Sequence, residues 1–361
     1  MNARTATAKE LSLMLQDSRA RTLALADAYA AALGDALTVR KLDTLNPPLW
    51  ELGHIAWFAD HWLCPRANRG FGSVANYDAL YDSSNVAHDT RWDLPLPNLA
   101  QTKAQMQASL DEILARLATE KSDSASNSDA ALYFYRLALF HEDMHAEAAI
   151  YSAKSLGIAT PKDALEATPH MACTSADFIK TTLSIPAQTW LLGSPKSGAG
   201  FAFDNELGQH EVTLPAFDID SRVVTWSEYL PFIKATMREM PLHVGAPNDA
   251  ATHINWFDAK AWCAWAGRRL PTEAEWECAA LSRPDFHWGE VWEWTANTFE
   301  PYPNFVPHAY ADYSAPWFGT RQVLRGAAAG ATSPRMVHPK YRNFFTPERT
   351  DIFAGFRSCA I

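Results

Sequence analysis

Two histidines four residues apart are the side chains best suited to chemistry in this chain. They lie in the segment Phe134-Tyr-Arg-Leu-Ala-Leu-Phe-His141-Glu-Asp-Met-His145, which predicts a helix. Residues at i and i+4 share one helical face, so both imidazoles can bind the same ion. Because Leu137 and Ala138 lie on or beside that face, we expect the pair to point into a core. A buried histidine pair needs a polar partner, and a divalent metal is the commonest.

The same residues also form the His-Glu-x-x-His signature of zinc proteases, in which the glutamate is the general base. The extended form of that signature needs a glycine and a third histidine, where this chain has Ala148 and Tyr151. Glu166 is a candidate third ligand for a zinc hydrolase, in a weakly patterned segment. Two structural histidines satisfied by hydrogen bonds alone are a further alternative.

A third histidine favours a metal site of another kind. His54 ends the segment Leu45-Asn-Pro-Pro-Leu-Trp-Glu-Leu-Gly-His54, in which Pro47 and Pro48 are placed to open a helix and Asn46 to cap it. His54 lies on the apolar face of this helix, and His61, seven residues on, could face the same way. Together with the first pair, His54 would complete a three-histidine site with open positions. Neutral imidazoles suit iron(II), copper and zinc.

The composition limits the class of protein. A chain of 361 residues with 48% hydrophobic residues favours two domains. A net charge of −10 without a basic run argues against nucleic acid as a partner. No apolar run is long enough for a membrane span, and the first residues lack an apolar signal core. Five cysteines without Cys-x-x-Cys spacing indicate a reducing compartment, and we expect a cytoplasmic protein.

The chain changes character near residue 160. The first part predicts four helices of period 3.6, which would form a bundle, a common host for metal sites. The helices are expected from about residue 7 to Gly34, around His54, from Leu99 to Thr119 and from Asp129 to Leu156, with a polar connector over residues 121–129. We therefore predict a bundle over residues 1–160, a linker over 161–177 and a second domain over 178–361.

Four motifs of the second domain resemble the formylglycine-generating-enzyme-like domain. They are Gly267-Arg-Arg-Leu-Pro-Thr-Glu-Ala-Glu-Trp-Glu277, Val291-Trp-Glu-Trp-Thr295, Val323-Leu-Arg-Gly326 and Phe353-Ala-Gly-Phe-Arg357. The resemblance implies a loop-rich, C-type-lectin-like domain. With a DinB-like four-helix bundle before it, the whole chain resembles the ergothioneine-pathway sulfoxide synthases, and the expected fold class is α+β. Formylglycine generation itself is not expected, because Cys263 and Cys278 lie elsewhere in the pattern and Arg325-Gly-Ala-Ala-Ala-Gly330 replaces the common Arg-Gly-Gly-Ser-Trp.

The resemblance implies a non-haem iron(II) enzyme that uses O₂ to bond a chalcogen to C2 of the imidazole of hercynine (Nα-trimethylhistidine). His54, His141 and His145 would hold Fe(II), with Glu142, Glu147 or Asp60 fixing their tautomers. The family segment that meets the trimethylammonium group matches Arg342, Asn343, Phe344 and Phe345. The family's proton-donating tyrosine falls among His308, Tyr310 and Tyr313.

The second substrate is expected to bind the loop that follows Tyr81. Family members that accept γ-glutamylcysteine resemble one another in a pair of arginines there, whereas this loop has Arg91 with Ser84, Asn85 and His88. Hydroxyl and amide groups suit a polyhydroxylated sugar, so the chain looks most like the selenoneine synthase branch, whose donor is a 1-seleno-sugar and whose product is a hercynyl selenoxide. The alternatives are an ergothioneine sulfoxide synthase using γ-glutamylcysteine or cysteine, and a non-catalytic metal- or carbohydrate-binding module.

Overall fold

The computed structural model describes residues 2–64, 77–120, 125–162, 164, 175–177, 179–241 and 243–361. The chain divides into two compact units. Unit 1 contains Met1–Glu166 with Ala199–Phe201, and unit 2 contains Ala167–Gly198 with Ala202–Ile361. Most of the predicted linker lies outside the described residues. Unit 1 is helical and unit 2 is rich in sheet, which confirms the predicted α+β class. None of the helices in the described ranges is both long and apolar enough to cross a membrane.

Unit 1 is built on four long helices. Its helices are α1 (Ala8–Leu33), α2 (Pro48–Leu63), the short α3 (Asp78–Tyr81), α4 (Leu99–Leu117) and α5 (Ala125–Leu156). Helices α1 and α4 begin at capping boxes, formed by Thr7 with Glu10 and by Asn98 with Gln101. Helix α2 packs against α4 and α5, and α1 packs against α5, so the predicted bundle is confirmed.

Two local expectations for unit 1 were wrong. Helix α5 begins at Ala125, so the second half of the predicted polar connector is helical. Asn46 does not cap α2, because the residue before the first helical position is Pro47 and no side chain caps the helix. The Asn46 amide instead donates a hydrogen bond to the carboxylate of Glu51, one turn into the helix.

A glycine lets α3 approach α2 closely. A Cβ added to Gly53 would lie 2.2 Å from ring atoms of Tyr81, the fully buried last residue of α3. Because no methyl group fits there, only glycine allows this packing. The position next along α2 is His54, so the close approach also brings the backbone of Tyr81 to the histidine.

The described residues of unit 2 form short strands and three α-helices. The helices are α6 (Trp226–Thr236), α7 (Trp256–Trp265) and α8 (Glu273–Ser282). The strands are β1 (Thr182–Ile185), β2 (Gln188–Leu192), β3 (His210–Leu214), β4 (Phe217–Asp220), β5 (Arg268–Arg269), β6 (Trp292–Thr298), β7 (Gln322–Gly326), β8 (Asn343–Phe345), β9 (Ala354–Gly355) and β10 (Cys359–Ala360). In the described part of the chain they form sheets of order β1-β4-β10-β5, β2-β3 and β8-β7-β6-β9. All pairs are antiparallel except β6 with β9.

The sequence motifs of unit 2 form buried ion pairs with one another. Arg325 pairs with Glu277 at 2.5 Å, and Arg357 pairs with Glu293 at 2.5 Å, with all four side chains fully buried. Trp276 donates from Nε1 to Glu293 as well. Breaking such a pair leaves an uncompensated buried charge, which typically costs about 3–5 kcal/mol. The motifs therefore hold the core of unit 2 together.

Candidate metal centre

Unit 1 brings three histidines together. One nitrogen each from His54 on α2 and from His141 and His145 on α5 lie within 4.8 Å of one another. The Nε2 atoms of the α5 pair are 3.1 Å apart. His54 and His141 are each 2% exposed, whereas His145 is half-buried. Three nitrogens at such separations can bind one ion, and the i, i+4 spacing on α5 explains two of them.

The hydrogen bonds of two of these rings leave Nε2 for a metal. His54 Nδ1 donates to the carbonyl of Tyr81 at 2.7 Å, and His145 Nδ1 donates to a carboxylate oxygen of Glu51. With the proton on Nδ1, each ring presents the lone pair of Nε2 to the centre. The donor set therefore fits a divalent metal that accepts imidazole nitrogen.

Aromatic side chains surround the histidines. Phe58 stacks on the ring of His141 with centroids 3.5 Å apart, and Trp50 stacks on His54 at 4.7 Å. Trp57 lies 5.6 Å from His54. These contacts fix the planes of the rings and keep water from their faces, so the ligands are held in place before an ion arrives.

Burial sets the charge of the ligands. It lowers the pKa of His54 to about 3, and the charge of His145 contributes in the same direction. Burial also lowers the pKa of His141 well below its usual value. Burial alone would raise the pKa of Glu51, but the charge and hydrogen bond of His145 outweigh it and hold this pKa at about 2. At neutral pH, His54 and His141 are thus neutral, as a metal requires.

Glu142 cannot act as the general base of a zinc hydrolase. Both of its carboxylate oxygens accept hydrogen bonds from Arg19, at 2.7 and 3.0 Å, and both side chains are buried. A base must reach the substrate or a metal-bound water, and this carboxylate is held by a guanidinium instead. Glu166 lies outside the described residues. His54 stands where that mechanism would need its third ligand.

The Nδ1 atoms of His54 and His145 bond to groups other than the predicted carboxylates. His54 and His145 are held by Tyr81 and Glu51, and not by Glu142 or Asp60. Asp60 accepts a hydrogen bond from Ser109 at 2.6 Å. His61 is also not part of the histidine group; its ring lies against Trp57 and Trp62. The i, i+3 spacing places Glu51 on the same helical face as His54, so the sequence contained a signal for this carboxylate. The backbone carbonyl of Tyr81 gives no such signal in the sequence.

The loop after Tyr81 is organised around Arg91. This arginine is 9% exposed and donates hydrogen bonds to the carbonyls of Val86 and Ser83 and to Oδ1 of Asn46. It is therefore part of the loop's own structure, and the predicted role in binding a donor is not supported by its position. Ser84 and Asn85 are exposed at the turn of this loop. His88 bonds the carbonyl of Leu45 through Nε2 at 3.0 Å.

The predicted aromatic segment of unit 2 divides into core and surface. Arg342 is 1% exposed and forms two hydrogen bonds with Glu273, at 2.8 and 3.0 Å, so it is a core residue and cannot contact a substrate. Asn343 bonds the next backbone amide with its side chain. Phe344 stacks on Phe299 at 4.1 Å. The ring of Phe345 lies 5.0 Å from the guanidinium of Arg349.

Of the three predicted proton donors, Tyr313 has the most defined surroundings. Its hydroxyl lies 2.9 Å from that of Tyr341, and its ring lies 5.8 Å from that of Phe344. Burial raises the pKa of Tyr313 well above 10, and the neighbouring hydroxyl of Tyr341 adds to the shift. Tyr310 lies 5.9 Å from Tyr313 between ring centroids. Burial lowers the pKa of His308. The structure thus brings Tyr313 and Phe344 together within unit 2.

Comparison with known proteins agrees with this division. Residues 173–289 and 284–360 match the family model of the sulfatase-modifying factor enzyme 1-like domain, and residues 14–149 match that of the DinB superfamily. The hercynine oxygenases of Mycobacterium tuberculosis and Mycolicibacterium smegmatis are each 27% identical to this chain. Those alignments cover 97% and 99% of this chain and 98% and 99% of the relatives.

Other similar proteins match about half of the chain. The formylglycine-generating enzyme of Streptomyces coelicolor is 24% identical over 57% of this chain and 96% of its own length. Among solved structures, PvdO from Pseudomonas aeruginosa is 20% identical with a TM-score of 0.41, and it covers 49% of this chain and 93% of that chain. In unit 2, Cys263 and Cys278 are buried in helices, and burial raises the pKa of both thiols.

The chain thus combines two domains. In the helical unit three histidines converge, and in the sheet-rich unit the sequence motifs form ion pairs with one another. This chain belongs to the sulfatase-modifying factor enzyme 1-like family, preceded by a DinB-like helical domain. The relatives that match along nearly the full length are oxygenases by name, and the chain is an enzyme of the oxidoreductase class.

Proposed function

We propose that this enzyme is a non-haem iron(II) oxygenase that joins a chalcogen to C2 of the hercynine imidazole. The proposed donor is a 1-seleno-sugar and the proposed product a hercynyl selenoxide. The observation that carries the proposal is the convergence of His54, His141 and His145 in a chain that matches hercynine oxygenases over nearly its whole length. When bound, iron(II) would supply open coordination positions and redox chemistry with O₂.

The residues of unit 1 would hold the ion, and burial keeps His54 and His141 neutral. The Tyr81 carbonyl and the Glu51 carboxylate accept hydrogen bonds from Nδ1 of His54 and of His145. The Nε2 lone pair of each ring is thereby left for the ion. Phe58 and Trp50 cover the faces of the rings. This half of the proposal needs no residue outside unit 1.

Residues of unit 2 would supply a proton and an aromatic contact. We assign the proton donor to Tyr313, because it stays a neutral phenol at physiological pH and Tyr341 can replace its proton across 2.9 Å. Tyr310 and His308 are the alternatives. The ring of Phe344, next to Tyr313, is the candidate face for the quaternary ammonium group of hercynine, with Asn343 beside it.

The loop after Tyr81 supports a neutral donor over an acidic one. Donor carboxylates are best gripped by a guanidinium with its fork facing the ligand. The fork of Arg91 is occupied by Asn46 and by backbone carbonyls. The exposed side chains of Ser84 and Asn85 offer a hydroxyl and an amide, which suit the hydroxyl groups of a sugar. A thiol donor, γ-glutamylcysteine or cysteine, is the second candidate.

The test is anaerobic loading with Fe(II), followed by exposure to air with hercynine and, in parallel, a 1-seleno-sugar, γ-glutamylcysteine or cysteine. Mass spectrometry reads the product. We expect a hercynyl selenoxide with the seleno-sugar alone, and no product from His54→Ala, His141→Ala or His145→Ala. His61→Ala is the matched control, since it removes an imidazole from α2 outside the cluster and should stay active. A sulfoxide from a thiol donor would move the enzyme to the second candidate, and no product from any pair would refute the proposal.

A further inference from the structure

Arg91 lies at the start of a chain of contacts that ends at the metal ligands. Its Nη1 donates to Oδ1 of Asn46 at 2.8 Å. The amide nitrogen of Asn46 donates to Oε1 of Glu51, whose other oxygen accepts the Nδ1 proton of His145. Every member belongs to unit 1. The links converge on Glu51, whose carboxylate accepts a hydrogen bond from Asn46 at one oxygen and from His145 at the other.

A second contact leads from Arg91 towards His54, the histidine ligand on α2. The guanidinium carbon lies 4.0 Å from the ring centroid of Trp50. The same indole stacks on the ring of His54 at 4.7 Å, with an angle of 10° between the planes. Trp50 is also tied by its Nε1 to the carbonyl of Leu80 at 2.7 Å, so the indole cannot turn away. One buried guanidinium thus contacts the supports of two ligands.

We propose that Arg91 is a positioning residue of the metal centre, which fixes the ring of His145 through Asn46 and Glu51 and the ring of His54 through Trp50. The inference rests on the proposed function only in taking the three histidines as ligands. It replaces the role in donor binding that the sequence predicted. It also links the loop to the ion, because the same guanidinium holds the carbonyls of Ser83 and Val86.

The physical reason is the geometry that a metal demands. An imidazole that turns about its χ angles moves its Nε2 out of place, and the groups that hold its Nδ1 proton restrict that motion. A carboxylate held at only one oxygen can itself rotate. Asn46 holds the second oxygen of Glu51, and Arg91 orients Asn46 by occupying its carbonyl oxygen, which also decides which way the amide faces.

The test measures metal affinity without turnover. Co(II) is titrated into the metal-free full-length protein and its d–d absorption gives the Kd and the ligand field. Removing a group that directly holds a metal ligand typically costs about 10–100-fold in affinity. We expect Asn46→Ala and Arg91→Gln, which act one and two bonds further away, to weaken Co(II) binding about 3–10-fold and to shift the d–d bands. The double variant should weaken binding by less than the product of the two single effects, because Arg91 and Asn46 act in series on Glu51.

Trp92→Phe is the matched control. It removes another anchor of the same loop, the 3.2 Å hydrogen bond from Trp92 Nε1 to the carbonyl of Val39, without touching the chain to Glu51. Its Kd for Co(II) should equal that of the unaltered protein. If Arg91→Gln also keeps the unaltered Kd and spectrum, or if the effects of Arg91→Gln and Asn46→Ala multiply, the inference is wrong and the proposed function stands. If the unaltered protein binds no Co(II), both the inference and the proposed function are refuted.

Discussion

Acid should destabilise the metal-free protein through the buried histidines. His54 has a pKa of about 3 in the folded chain and its ordinary value of 6.5 when unfolded. Between these values the unfolded state binds a proton that the folded state does not, so stability rises with pH and is lost as the pH falls. At pH 5 the free energy of unfolding is lower by about 2 kcal/mol through His54 alone. His141 acts in the same direction.

The assay is urea unfolding of the chelator-treated protein at several pH values, followed by circular dichroism at 222 nm, which reports mainly the helices of unit 1. Each proton taken up on unfolding gives a slope of about 1.4 kcal/mol per pH unit. In thermal melts the loss at pH 5 corresponds to about 4–8 °C for a domain of this size. His54→Gln keeps an amide donor for the Tyr81 carbonyl but cannot titrate, so its slope should be lower by one proton. Equal slopes for both proteins would refute the assigned protonation state.

Three further results are expected. Gly53→Ala should destabilise unit 1 by about 1–3 kcal/mol in urea unfolding and weaken Co(II) binding, because the new methyl group overlaps a buried ring; a gain in stability, as helix propensity alone predicts, would contradict the packing. Arg342→Met should destabilise unit 2 by about 3–5 kcal/mol, measured by tryptophan fluorescence, because it removes the guanidinium that bonds both oxygens of the buried Glu273 carboxylate. Tyr313→Phe should lower kcat about 100-fold or more with little change in KM for hercynine, whereas Tyr310→Phe should not; the reverse order would reassign the proton donor.

The histidines were accessible to sequence reasoning because their signals are local. The i, i+4 pair follows from helical geometry, and Pro47 and Pro48 mark the start of the helix that carries His54. The four helices of unit 1 followed from period 3.6 in the same way. What the sequence could not supply is the meeting of α2 with α5, which depends on tertiary packing.

The arginines show where residue type misleads. Arg91 and Arg342 were assigned to substrates because they lie in segments that resemble the substrate-binding segments of the family. In the fold both are buried and bonded to the protein itself, Arg91 to backbone carbonyls and Asn46, Arg342 to Glu273. A sequence does not show which backbone carbonyl a side chain will bond. The partner of a buried charge can also lie far away along the chain, so only the folded structure identifies it. Such residues can be assigned only once the path of the chain is known.

The order of the first sheet in unit 2 has a consequence for synthesis on the ribosome. Strand β10 pairs with β4 on one side and with β5 on the other, so residues 359–360 occupy an interior position. Arg357, just before them, neutralises Glu293, which is fully buried. Until these residues have left the exit tunnel, the sheet has a gap and the Glu293 carboxylate lacks its guanidinium partner. Unit 2 is therefore expected to complete folding only after residue 360 emerges, while the helices of unit 1, whose contacts span residues made much earlier, can pack during translation.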